Sequence, residues 1–145
     1  MYKRQVLPYV DLLKISQEEA ELFGGEEQIF PWMEQFGISV TVETLGRNGA
    51  RVYFQKKCWD VAGFSVQQVD ATGAGDGFWG GFLSSLLQQH VGRKEELTVN
   101  KVEEALRYGN AAGALCVQKK GGIPGMPYRE DMIRFLAGGS MDDTK

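Results

Sequence analysis

Val69-Asp70-Ala71-Thr72-Gly73-Ala74-Gly75-Asp76-Gly77-Phe78 sets two carboxylates, a threonine and three glycines at the head of a strongly apolar helical pattern. Glycines let the backbone turn its amide hydrogens inward, and a helix N-terminus behind them adds about half a positive charge. An anion, above all a phosphate, is the natural occupant of such a turn. Asp76 is the odd member, because a carboxylate beside an anion hole repels the anion unless it has another task. Taking a proton from a hydroxyl that attacks a phosphoryl group is such a task. The plainer reading is a Gly-rich helix start in which Asp76 only complements the helix dipole.

Downstream, Phe78, Phe82 and Leu86 form one helical row and Trp79, Leu83 and Leu87 the next, a broad apolar face. His90 is expected to end this helix. After a hydrophilic link from Gly92 to Asn100, a helix is expected from Lys101 to Gln118. Its small residues (Ala105, Gly109, Ala111, Ala112, Gly113, Ala114) let its backbone approach a neighbouring helix or a ligand closely. Lys119 to Pro127 reads as a Gly/Pro loop, Tyr128 to Leu136 as a last helix, and residues 139–145 as a frayed tail.

Upstream, Asp11 to Ile15 reads as a buried strand. Ser16 with Glu19 has capping-box spacing, so a short helix should run from Gln17 to Phe23 and stop at Gly24-Gly25. A helix from Glu26 to Phe36 carries Ile29, Trp32, Met33 and Phe36 at spacings of three and four. Ile38 to Leu45 alternates as a strand, and Gly46-Arg47-Asn48-Gly49 turns the chain back into Ala50–Phe54. Strand-helix-strand order with short links predicts an α/β fold with a mostly parallel sheet.

The 145 residues suit one domain, spanning 1–145. A formal net charge of -3 argues against nucleic acid or an anionic membrane as partner. No apolar stretch is long enough to span a bilayer, and the N-terminus lacks the basic-then-apolar design of a secretory signal. Cys58 and Cys116 have no metal-type spacing and are expected to be free, buried thiols in a reducing cytoplasm. Trp32, Trp59 and Trp79 read as core or interface residues rather than adenine stackers.

Asp70-Ala71-Thr72-Gly73-Ala74-Gly75-Asp76-Gly77-Phe78, followed by Gly80-Gly81-Phe82, resembles the second signature of the ribokinase-like (PfkB) carbohydrate kinases, with a fructokinase-like flavour. Leu13-Lys14-Ile15-Ser16-Gln17-Glu18-Glu19 resembles the family's Asn/Ser-x-x-Glu segment after a strand, and Thr44-Leu45-Gly46-Arg47-Asn48-Gly49-Ala50 its Thr-Leu-Gly-x-x-Gly turn. Asn110-Ala111-Ala112-Gly113-Ala114 and Gly121-Gly122 running to Pro127 resemble its closing nucleotide-side helix and loop. The four features occur in family order. Ser16 stands where many relatives have Asn, and Ala71 replaces a common Thr.

The resemblance implies a three-layer ribokinase-like fold, truncated at its N-terminal side, and ATP-dependent phosphoryl transfer to a sugar hydroxyl. Asp76 would be the catalytic base, and the amides of Gly73, Ala74, Gly75 and Asp76 would hold the charge that gathers on the transferred group. Glu19 would act through water on Mg²⁺, beside Ser16 near the phosphates. Thr44, Gly46 and Gly49 would lie against the nucleotide, and Asn110 would approach the adenine side. Each also has a plain role: Glu19 as capping glutamate, Thr44 and Gly46 as a strand-end turn, Asn110 as a packed helix residue. Asp70 and the Thr72 carbonyl resemble the family's monovalent-cation (K⁺) site.

Family members run to about twice this length, and their N-terminal half supplies the lid and most sugar contacts. The chain therefore resembles the C-terminal, nucleotide-binding portion. Positioning of the acceptor can account for up to about 7–11 kcal/mol of a barrier, so negligible sugar kinase activity is expected of this chain alone. An exposed strand edge and apolar face predict a homo-oligomer. The competing readings are a non-catalytic ATP/ADP-binding module and an inert structural fragment.

Overall fold

The computed structural model describes residues 3–138, so the tail expected at 139–145 lies outside the described residues. A first helical turn, α1 (Lys3–Val6), and a 3-10 turn lead to β1 (Leu12–Ser16), which passes directly into α2 (Gln17–Leu22) and α3 (Glu26–Phe36). The hairpin elements β2 (Val40–Thr44), β3 (Gly49–Phe54) and β4 (Lys57–Ala62) follow. The helices α4 (Ala74–Gln88), α5 (Val99–Cys116), α6 (Gly122–Gly125) and α7 (Arg129–Leu136) complete the described chain.

The strands lie in the order β1-β2-β3-β4. Only β1 and β2 run parallel; β2 with β3 and β3 with β4 are antiparallel. The sheet is thus mixed rather than mostly parallel, because the short turns after Thr44 and Phe54 reverse the chain where a parallel return needs a crossover helix. β4 was not expected. Its hairpin turns on Gln55 and Lys56, whose φ angles of 49° and 60° put both central residues in the left-handed region. That geometry usually calls for Asn-Gly, so this turn carries no sequence signal.

Helices cover both faces, giving the three layers. On one side Val40, Val42, Val52 and Phe54 meet Phe78, Phe82 and Leu86 of α4 and Val102, Ala105 and Leu106 of α5. On the other, Ile15 and Tyr53 pack with Ala20 of α2 and Ile29 and Met33 of α3. Trp32, Trp59 and Trp79 all pack against these cores. Because both faces are covered, the polar partners in β2 are buried too. Glu43 is 3% exposed and accepts the Tyr53 hydroxyl at 3.1 Å, and burial pushes its carboxyl above the usual range.

The small residues expected to bring helices together do so. A Cβ on Gly81 would stand 2.7 Å from that of Ala112, and one on Gly109 would stand 2.9 Å from the Phe78 carbonyl oxygen. α4 and α5 therefore pack backbone to backbone, fixing the start of α4 against the sheet. α4 ends where His90 enters the left-handed region at φ 58°. Val91 N–H donates to Leu86 O at 3.0 Å and His90 N–H to Leu87 O at 3.0 Å, a Schellman ending. Leu87, expected on the apolar face, is exposed. Cys116 is buried and free as expected, whereas Cys58, on the outer strand β4, is free but exposed.

Candidate functional site

The turn before α4 is held by Asp70. Its carboxylate accepts the Thr72 N–H at 2.9 Å and the Gly121 N–H at 2.9 Å. Val69 and Asp70 also donate their backbone N–H groups to Val117 O, at 2.8 and 3.1 Å. The loop after α5 is thereby drawn onto the turn. Gly73 then takes a left-handed conformation, φ 79°, with Gly122 so close that a Cβ would meet its Cα at 2.8 Å. Both conditions require glycine there.

The first turn of α4 exposes a defined set of backbone donors. The Ala74 N–H is already engaged by Ala71 O at 3.1 Å, and that of Gly77 by Gly73 O at 2.8 Å. The N–H groups of Gly73, Gly75 and Asp76 have no acceptor among the described residues. Of the four amides expected to form an anion hole, three are therefore open and Ala74 is not. Asp76 occupies the third helical position and its side chain is exposed. The dipole of this 15-residue helix adds positive potential at the same point.

Across from this turn, β1 and β2 end together, with Ser16 opposite Thr44 in register. The capping box is formed: Glu19 N–H donates to Ser16 Oγ at 3.2 Å and Ser16 N–H to Glu19 Oε2 at 3.0 Å. Thr44 Oγ1 donates to Ile15 O at 3.4 Å. The chain leaves β2 through a 3-10 turn over Gly46–Asn48 and re-enters at Gly49. There φ is 104° and a Cβ would lie 2.1 Å from Val61 O, so no other residue fits.

Between these walls lies a cleft of about 430 Å³. It gathers six of the residues singled out in sequence: Thr44, Gly46, Gly49, Ala74, Gly75 and Asn110. Ser16, Glu19, Asp70, Thr72, Gly73 and Asp76 are outside its lining; Asp76 directly follows Gly75, and Ser16 adjoins Thr44. Asn110 is 6% exposed and serves the plain role as well: its amide nitrogen donates to Val61 O and Ala62 O, each at 3.1 Å. It fastens the end of β4 to α5. The segment after β4 also lines the cleft through Gly63, Phe64, Ser65, Val66 and Gln68. Sequence reasoning missed it because the segment has no periodicity and follows a strand that was itself unsuspected.

A second cavity, about 460 Å³, lies on the far side of α4 against α5 and α7 and contains none of the expected site residues. Among the described residues no three His, Cys, Asp or Glu side chains are grouped to hold a metal ion. No described helix is long and apolar enough to cross a membrane.

The fold corresponds to that of known kinases. Residues 2–129 match the pfkB family carbohydrate kinase profile, and the chain belongs to that family. It is 32% identical over 130 residues to Fructokinase-1 of Oryza sativa subsp. japonica, covering 87% of this chain and 39% of the relative. Ribokinase of Haemophilus influenzae is 32% identical over 140 residues, covering 91% of this chain and 42% of the relative. The chain thus spans about two-fifths of the length of these relatives. Among solved structures, a double mutant of the fructokinase of Vibrio cholerae O395, in its fructose, ADP and potassium ion bound form, superposes with a TM-score of 0.79. Its sequence is 30% identical, and the match covers 92% of this chain and 43% of that one. Ribokinase of Thermotoga maritima matches with a TM-score of 0.74 and 28% identity over 91% of this chain and 44% of that one.

Proposed function

We propose that this chain is the nucleotide-binding and catalytic-base portion of an ATP-dependent, fructokinase-like carbohydrate kinase. The observation that carries the reading is the convergence of the Thr44–Gly49 turn, Asn110 and Gly75 on one cleft, with the open amides of Gly73 and Asp76 in the same turn as Gly75. The nucleotide lies in that cleft, its ribose and phosphates along Thr44, Gly46 and Gly49 and its base toward Asn110 and the 63–68 segment. Its terminal phosphate reaches the N–H groups of Gly73, Gly75 and Asp76. These donors are fixed by the helix before any charge develops, so they stabilise the transferred group without reorganisation.

Asp76 projects from the same turn but outside the cleft lining. A base that serves the acceptor hydroxyl belongs on that side, facing the sugar rather than the nucleotide. It accepts the hydroxyl proton as the oxygen attacks the γ-phosphorus.

A magnesium ion bound with the nucleotide would neutralise charge on the phosphates. It keeps several waters and needs few protein carboxylates, which fits a site with one candidate, Glu19. Glu19, which accepts the Ser16 N–H as the cap of α2, would act on that ion through water. Asp70, the Thr72 carbonyl and the Gly121–Gly122 loop, joined by the Gly121 N–H to Asp70 hydrogen bond, would hold a monovalent cation; the Vibrio cholerae fructokinase was solved with potassium. The chain spans about two-fifths of the length of its relatives, and turnover by residues 1–145 alone should be negligible.

The test is Asp76→Asn in a kinase that joins this chain to a family lid-and-sugar portion. Phosphoryl transfer should fall by about 10²–10⁴-fold, the contribution of a positioned base, with nucleotide affinity within a few-fold. Loss of nucleotide binding instead would make Asp76 structural and contradict its assignment as base.

A further inference from the structure

Lys14 belongs to the strand-end segment but has no role in the reading above. It is the central residue of β1, paired in register with Val42, and is half-buried. Its Nζ lies 3.1 Å from the point that a Cβ on Gly75 would occupy and is the nearest atom to it. The ammonium therefore stands over the first turn of α4 at Gly75. Arg51 is paired with Asp60 and Glu26, Lys94 with Asp11 and Arg134 with Asp131, whereas Lys14 has no ion-pair or hydrogen-bond partner among the described residues and lies outside the lining of the cleft.

This placement sets the ammonium at the positive end of the α4 dipole, with the Asp76 carboxylate in the same helical turn. The N-terminus of a helix carries about half a positive charge, and a cation there is repelled rather than held. Partial burial also removes water from the ammonium. Both costs are reversed by an anion lying between the amides and the lysine. We infer that Lys14 contacts the terminal phosphate of the nucleotide, clamping it from the β1 side while the α4 amides hold it from the other. A lysine supplies a compact point charge to a phosphate whose negative charge grows during transfer. The absence of a side chain at position 75 is what leaves room for both the ammonium and the phosphate.

This inference rests on the nucleotide site proposed above, and one titration series separates the two. Binding of Mg·ATP and of adenosine is measured by calorimetry for the wild-type chain, Lys14→Met and Lys14→Arg. Lys14→Met should weaken Mg·ATP by about tenfold or more, the scale of a hydrogen bond to a charged group, and leave adenosine within twofold. Lys14→Arg should retain part of the ATP affinity. Unchanged ATP affinity in Lys14→Met, or equal losses for ATP and adenosine, would overturn the role of Lys14 while leaving the nucleotide site standing. Wild-type chain that binds no Mg·ATP would overturn both.

Discussion

The carboxylate of Asp70 accepts the backbone N–H of Gly121 at 2.9 Å, joining positions 51 apart in sequence. This bond ties the turn that opens α4 to the loop that follows α5. Hydrogen bonds from Thr72, through its side chain and then its N–H, together with that from Gly121, hold the Asp70 carboxyl below the usual carboxylate range. A depressed folded-state value means that the contribution to stability is present above the unfolded pKa, near about 3.9. It is lost as pH falls through the folded value. The Asp70→Asn chain should accordingly show a shallower decline of its urea midpoint between pH 5 and pH 3 than the wild type. Parallel declines would mean that the Gly121 contact is not maintained in solution.

Asn110 closes the cleft from the α5 side. Replacing it by Ala leaves the carbonyls of Val61 and Ala62 without their shared donor in a buried position. Stability should drop by about 1–3 kcal/mol, read as a lower urea midpoint at unchanged slope. Nucleotide binding should weaken with it, because the end of β4 and the 63–68 segment lose their anchor. An unchanged midpoint would show that water replaces the side chain at no cost.

Much of this was legible in sequence for definite physical reasons. The capping box at Ser16 and Glu19, the 3.6-residue rows of α3 and α4 and the Gly/Ala content of α5 each encode a local rule that the tertiary fold obeys. The Gly73 turn was legible as a helix start with open backbone donors because such donors need only glycine and a following helix. What remained hidden depended on long-range contacts. The β3–β4 turn uses Gln55 and Lys56 in left-handed conformations that no composition rule favours. Glu43 looks solvent-facing by alternation, yet α3 covers its side of the sheet and buries it against Tyr53. The engagement of the Ala74 amide and the placement of Lys14 over Gly75 are decided by how the turn closes and how β1 meets α4. Neither is a property of local sequence.

Among the described residues the sheet has two outer strands, β1 and β4, each paired on one side only. Unpaired edge groups and large exposed apolar residues such as Leu22, 84% exposed, favour association through the edges. Light scattering should therefore give a dimer or larger species that grows with concentration. A monomer mass throughout the accessible concentration range would contradict this.

The most direct measurement of the central claim is thermal unfolding of the chain with and without millimolar Mg·ATP. At ligand concentrations near a hundred times the dissociation constant, binding to the folded state adds about 2.7 kcal/mol, a rise of several degrees for a domain of this size. The account predicts that rise with Mg·ATP and a smaller one with adenosine at the same concentration. A cooperative transition that Mg·ATP leaves unmoved would contradict it, because the cleft and the open amides of α4 would then be present without holding a nucleotide.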